Sequence, residues 1–413
     1  MLIQRGYRFR LAPTSEQAST LAQYVGACRF VYNLALEQRR DWYRPGRRID
    51  YLTQAAELTK LRSEVDWIDA VPVNALQQAL RDLDRAFVTF FEGRAAYPTP
   101  RVKGINDSFR VPQSNGAVRT KKLNASWSTV RLPKIGWVKY RAHREIKGEI
   151  CNATVSLNGE HWWISIQTER EIEVQPSTLP HVGIDRGITV LAALSTGELI
   201  EPGSALMKHS RRLKNAQRVL SRRKKGSNRW RRQKARVNRI HTQVANTRKD
   251  QLHKITFGIT RRFGTVVVEA LKIKNMTASA AGTVDDPGRN VAQKSGLNRV
   301  IMDKGWHGFE MMLAYKLQER GGTLVRVNPA YTSQTCSSCG MVDRISRESQ
   351  AVFRCVACGH AENADCNAAK NILRAEVRPL SAPSELRKRP ATRTTRTNPR
   401  SAAWVRSQSV SNR

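Results

Sequence analysis

Along residues 3–11, Tyr7, Phe9 and Leu11 alternate with Arg8 and Arg10, a period of two that predicts a strand with one wet, basic face. Pro13 ends it. Thr14 followed by Gln17 has the form of a capping box, and Leu21, Val25, Cys28, Tyr32 and Ala35 then recur at helical spacing. Leu76, Leu80, Leu83, Phe87 and Phe91 predict a second helix from about Asn74. Its aromatics read as core and not as a base-stacking platform, because regular spacing is what packing demands. Residues 95–115 are rich in turn formers and read as a basic loop. Strands then return: "ATVSLNGEHWWISIQTE" reads as a hairpin about Asn158-Gly159, with "WVKYRAHREIKGEI" pairing alongside.

The second half changes character. "HVGIDRGITVLAALSTGELIE" predicts a pair of apolar strands joined by a turn at Ser195, Thr196 and Gly197. "GTVVVEALKI" is a continuous β-branched run ending at Glu269, the pattern of a buried central strand. Residues 275–298 read as a loop, Trp306, Phe309, Leu313 and Leu317 as a helix, "GGTLVRVNPA" as a strand, and 363–374 as a last helix. After 376 there is little to bury, which predicts a disordered basic tail over 376–413. There is no internal repeat.

A chain of 413 residues can hold two or three cores. With 71 Lys and Arg against 34 Asp and Glu, the net charge of +37 points to a polyanionic partner, nucleic acid first. Mean hydropathy is −0.52 and no segment approaches the ~20 apolar residues of a spanning helix, so no membrane partner is expected. "MLIQRGYRFRLAP" lacks the form of a secretory signal, so the expected location is the prokaryotic cytosol, with nucleoid association when bound to target. No acidic residue lies between Glu201 and Asp250, where "RRLKNAQRVLSRRKKGSNRWRRQKARVNR" is close to half Lys and Arg. Leu213, Val219 or Leu220, and Val237 or Ile240 punctuate that run at loose helical intervals, so it reads as paired helices with a phosphate-binding face. Such contacts give affinity without sequence information.

Cys336, Cys339, Cys355 and Cys358 form two CxxC pairs across a fifteen-residue gap, the spacing of a four-thiolate structural zinc site. Gly340 and Gly359 close each knuckle. Cys28, Cys151 and Cys366 are left over and read as small buried hydrophobes. Three acids are harder to dismiss. Asp185 ends "HVGID" between Gly183 and Gly187, as though the backbone there approached something closely. Glu269 ends a hydrophobic strand, where a charge is costly unless neutralised. Asp365 lies past the last cysteine, near Asn363, Asn367 and Asn371. Two-metal phosphodiester hydrolysis needs several carboxylates around hard cations, and magnesium prefers oxygen ligands. In a basic protein such a set reads as a nuclease site.

The motifs "YRFRLAPTSEQ" with "ACRFVYNLAL", "VGIDRGI", "VVVEALKIKNM", "SGLNRVIMDKGWHGFEMMLAYKL", "YTSQTCSSCG" and "CGHAENADCNAAKNIL" span nearly the whole chain except the tail. In these, the chain resembles the transposon-encoded TnpB (OrfB) proteins, RNA-guided DNA nucleases akin to the type V CRISPR effectors. The resemblance implies a multidomain α/β protein whose RNase H-like (RuvC) nuclease domain carries an inserted zinc ribbon. A small β-barrel-like wedge domain with an inserted helical recognition module would precede it. The boundaries expected are 1–12 and 116–178 for the wedge and 13–115 for the recognition module. The nuclease domain would take 179–328 and 361–375, with its basic helices over 205–262, and the ribbon 329–360. Asp185, Glu269 and Asp365 would be the catalytic ligands of a pair of Mg2+ ions, and the cysteines would hold structural Zn2+.

The implied partners are guide RNA from the transposon end, double-stranded target DNA with a short flanking motif, and the displaced single strand. Cys366 after the third acid and Ala270 after the glutamate depart from the family pattern without removing a ligand. Other classes remain: a nuclease-inactive guided regulator, a transposase acting without guide RNA, and a zinc-ribbon RNA-binding protein without chemistry.

Overall fold

The computed structural model describes residues 1–42, 49–113, 116–201, 205–283 and 286–376; the tail expected over 376–413 lies, beyond Glu376, outside them. They fall into two compact units: Met1–Pro176 with Ser204–Asp250 and Glu319–Gly321, and Ser177–Gly203 with Gln251–Gln318 and the chain from Gly322.

The first unit opens with strand β1 (Leu2–Ala12), which buries Ile3, Tyr7, Phe9 and Leu11 and leaves Arg8 and Arg10 exposed. Helix α1 (Ser15–Asp41) starts at a complete capping box between Thr14 and Gln17 and buries Leu21, Val25, Cys28, Tyr32 and Ala35. Helices α2 (Tyr51–Glu64) and α3 (Asp66–Asp69) were not signalled by the apolar pattern. Helix α4 (Val73–Phe91) buries Leu76, Leu80, Leu83 and Phe87 as expected, whereas Phe91 at its end is exposed. The stretch read as a loop contains β2 (Ser108–Pro112), an edge strand whose alternate residues Phe109 and Val111 are buried.

Strands β3 (Arg119–Lys122), β4 (Trp127–Leu132), β5 (Gly136–Arg141), β6 (Glu149–Asn158) and β7 (His161–Glu171) complete an antiparallel sheet in the order β2-β6-β7-β1-β5-β4-β3. Its edges are β2 and β3, so a barrel-like closure is not made by strand pairing among the described residues. The β6–β7 hairpin pairs Asn158 with His161, placing its two-residue loop at Gly159-Glu160, with Gly159 at φ +64°. β5 is separated from that hairpin by β1, which pairs with both β5 and β7. Cys151 sits at a register irregularity of β6 between Ile150 and Asn152, which leaves it half-buried where full burial was expected.

In the second unit, β8 (His181–Asp185) lies beside β9 (Ala192–Leu194), which turns through Ser195–Glu198 into β10 (Leu199–Ile200). That makes three strands where two were expected. The basic run, which through Asp250 belongs to the first unit, forms α5 (Ala205–Ser221) and α6 (Asn228–Arg262), which bury Leu213, Ala216, Val237 and Ile240 against one another and leave Val219 exposed. Next come β11 (Thr265–Glu269), α7 (Ile273–Met276), α8 (Val291–Lys304), α9 (Trp306–Gln318) and β12 (Thr323–Val327). Helix α8 begins inside the stretch read as a loop; only Asn298 and Ile301 of it are buried, too few to make a stripe. β13 (Val352–Arg354), β14 (Ala361–Asn363) and α10 (Ala364–Arg374) end the described chain.

The second sheet runs β10-β9-β8-β11-β12, with β8, β11 and β12 parallel. β11 is buried on both faces, which is why its sequence is apolar without alternation. Val266 and Val268 pack with Val182, Ile184, Phe309 and Leu313 on one face, and Val267 packs with Val327 and Ile372 of α10 on the other.

Candidate nuclease site and thiolate cluster

A strand alternates its side chains, so Gly183 and Asp185 share one face of β8 and Val267 and Glu269 share one face of β11. That face is the one α10 covers. The helix can lie there because position 183 is glycine: a Cβ would run into the Ala369 carbonyl oxygen and the backbone of Leu373. Asn363 caps α10 by accepting from the backbone N–H groups of Asp365 (3.0 Å) and Cys366 (3.2 Å), which fixes Asp365 in the first turn. Asp365 is brought over the β8 end, where its Oδ2 would stand 3.7 Å from a Cβ built on Gly187. The structure therefore gathers Asp185, Glu269 and Asp365 at one place from three distant segments.

Their electrostatics are those of crowded, buried acids. Burial, then the charges of Glu269 and Asp365, push the Asp185 carboxyl up from its ordinary 3.8 to about 7. Burial also raises Glu269, opposed by a 2.6 Å hydrogen bond from Thr332 Oγ1 and by Arg186 and Arg347. Asp365 is raised by burial against the pull of Arg347, whose Nη2 donates to Asp365 Oδ1 at 3.3 Å. Arg347 belongs to the segment between the cysteine pairs, where no pattern in the sequence marks it.

Among the described residues, the one group of three or more His, Cys, Asp and Glu whose ligand atoms all lie within 4.8 Å of one another is Cys336, Cys339, Cys355 and Cys358. Sγ–Sγ separations of 3.7 Å (Cys336–Cys358) and 3.6 Å (Cys339–Cys355) match the roughly 3.8 Å edge of a tetrahedron with metal–sulfur bonds of about 2.3 Å. Gly340 and Gly359 take φ of +79° and +72°, closing the two knuckles.

The thiolate module is tied to the acids through α10. Buried Asn367 accepts from Ser337 N–H and donates to the Thr335 carbonyl, both at 2.8 Å, while Asn371 donates to the carbonyls of Thr332 (3.0 Å) and Thr335 (2.5 Å). The same Thr332 holds Glu269, and Tyr331 before it adopts φ +66°, which a side chain rarely does. The repeat of asparagine at 363, 367 and 371 is a helical spacing that could have revealed this clamp from sequence.

Residues 1–48 match a family model described as "Helix-turn-helix domain", 164–280 one described as "Probable transposase" (OrfB_IS605), and 306–372 one described as "Cas12f1-like, TNB domain". In the structure, the described part of the first match is β1 and α1. The chain is 44% identical over 376 residues to the Escherichia coli (strain K12) protein "Putative RNA-guided DNA endonuclease InsQ", covering 90% of this chain and 92% of that one. It belongs to the TnpB (OrfB) family. A relative from Streptomyces pristinaespiralis, "Putative RNA-guided DNA endonuclease", is 34% identical over 379 residues, covering 90% of this chain and 89% of that one. The solved "mini-RNA-guided endonuclease CRISPR-Cas_phi3" shares the fold at a TM-score of 0.50 and 9% identity, over 92% of this chain and 94% of that one. No described helix is long and apolar enough to cross a membrane.

Proposed function

We infer that this protein is an RNA-guided DNA endonuclease of an insertion-sequence transposon, directed to its target by guide RNA from the transposon end. Asp185, Glu269 and Asp365 hold divalent cations in an RNase H-like, RuvC-type domain. The observation that carries this reading is the convergence of three carboxylates, Glu269 buried and Asp185 and Asp365 half-buried, at the ends of adjacent parallel strands and the start of α10, with Asp185 pushed up to about 7. Such a set has a surplus of negative charge that Arg347 and Arg186 offset only in part, and its all-oxygen donors suit Mg2+. Three converging carboxylates are the donor set that a two-cation site for phosphodiester hydrolysis would use.

When bound, the ions would lower the proton affinity of the attacking water and stabilise the leaving oxygen. The chain's own part is to fix the carboxylates: Thr332 orients Glu269, Asn363 holds the turn bearing Asp365, and Gly183 admits α10. The sulfur-only donor set of Cys336, Cys339, Cys355 and Cys358 suits structural Zn2+, which would brace α10 from beside. The wedge and recognition parts belong to the antiparallel-sheet unit in this reading, and the exposed cations of α5 and α6 would grip phosphates.

Purified ribonucleoprotein, its RNA sequenced, is incubated with matched DNA carrying candidate flanking motifs and Mg2+. Cleavage that Asp185→Ala abolishes while DNA binding persists is the expected result. Wild-type complex that binds matched DNA and leaves it whole would remove the nuclease reading and leave a guided regulator.

A further inference from the structure

The β8–β11 ladder ends one residue short of the acids. Its last paired residues are Ile184 and Val268, so Asp185 and Glu269 stand beyond the final rung, although Glu269 still pairs with Val327 of β12. Beyond that rung the two ends are paired only with their outer neighbours, Asp185 with Ala193 of β9 and Glu269 with Val327 of β12. Arg186 closes that gap from the opposite face. Its side chain is 1% exposed; Nη2 donates to the Glu269 backbone carbonyl and Nη1 donates to Glu310 Oε2 at 2.8 Å. Glu310, on α9, also accepts from Arg326 Nε of β12 at 2.5 Å. Burial alone would raise the Glu310 carboxyl, yet Arg326 and Arg186 hold it below its ordinary value, so it stays an anion under the guanidinium. Arg186 Nε makes no hydrogen bond among the described residues.

We propose that Arg186, oriented by Glu310, is a positioning residue that sets the separation of the Asp185 and Glu269 carboxylates and thereby the affinity of the pocket for paired divalent cations. It touches neither substrate nor ion. It acts through the Glu269 backbone carbonyl, which also accepts from Leu271 N–H at 3.0 Å, and a planar guanidinium can bond that carbonyl and Glu310 together where an ammonium has a different reach. Its positive charge also lies behind Glu269 and favours the ionised carboxylate. The inference rests on the reading of the acids as metal ligands.

The test is Mn2+ binding to the zinc-loaded, RNA-bound full chain, followed by electron paramagnetic resonance, with the Asp185→Asn isotherm subtracted as background. Arg186→Met is expected to weaken the Asp185-dependent binding about 10- to 100-fold, the range for residues that orient metal ligands. Arg186→Lys should fall between it and the wild type. The double variant Arg186→Met with Glu310→Met removes the buried charges together, so it should recover the thermal stability of the wild type without recovering Mn2+ affinity. If that double variant binds Mn2+ as the wild type does, Arg186 is structural and the inference is overturned. If the wild type shows no Asp185-dependent Mn2+ binding, the reading of the acids fails instead.

Discussion

Replacing Asp185 with asparagine should make the protein more stable and inactive at once, provided that no divalent metal is present. The carboxyl is pushed from 3.8 to about 7 by burial and by two neighbouring acids. A group whose folded-state pKa is raised above its unfolded value binds more protons when folded. For an acid this means that stability falls as pH rises between the two values. The interval here is about three pH units at 1.36 kcal/mol each, a ceiling near 4 kcal/mol that is reached above pH 7. Partial exposure and solvent relaxation reduce it, so about 2 kcal/mol is the working expectation. Asparagine keeps an oxygen acceptor for the Arg186 backbone N–H, and its amide donates toward Glu269 and Asp365.

The assay is thermal denaturation of the RNA-free protein, zinc-loaded, in buffer without Mg2+ and without a chelator that would strip zinc. At pH 8 the transition of the unit bearing the acids should rise by roughly 4 to 8 °C in Asp185→Asn. At pH 4.5 the difference should shrink to about a quarter, because Asp185 is then protonated in the folded wild type and only the unfolded chain still releases its proton. Added Mg2+ should stabilise the wild type and not the variant, since only the wild type gains a ligand-linked free energy. An Asp185→Asn protein no more stable than the wild type at pH 8, or a difference independent of pH, would refute the account of three crowded carboxylates.

Other outcomes follow from the supports around the site. Gly183→Ala forces a methyl group against the Ala369 carbonyl, so α10 must lift; we expect a loss of about 1 to 3 kcal/mol and of cleavage, with RNA binding retained, as read by melting and gel assays. Asn367→Ala strands Ser337 N–H in a buried place and leaves the Thr335 carbonyl only its bond from Asn371, costing about 1 to 3 kcal/mol in thermal denaturation and loosening zinc, measured by chelator competition. Cys355→Ser should bring zinc, counted by atomic emission, well below one ion per chain. Changing the exposed Arg211, Arg212 and Lys214 of α5 to glutamine should flatten the dependence of log K on log salt by roughly one unit per lost phosphate contact without moving the melting temperature.

What was legible in the sequence was whatever a single segment had to satisfy by itself. The unbroken apolar run of β11 announces burial on both faces, and the alternation of β1 announces burial on one. Gly183 reads as a place of close approach, and the approaching partner is α10. Segments whose burial is shared among few positions left no pattern: α2 buries only Gln54 and Leu58, and β2 hides within turn formers that nonetheless alternate. The acids could be singled out because charge at the end of an apolar strand needs a reason. Arg186, Arg347 and Thr332 could not, because an arginine in a basic chain, or a threonine beside a cysteine knuckle, is unremarkable until the fold brings it to a carboxylate. Arg347 is numbered eighteen before Asp365, and Arg186 meets a carbonyl 83 residues away. Groups that act on the site from behind are therefore found by asking which hydrogen bond replaces the missing rung of a ladder. That question can be posed only once the register of β8 and β11 is known.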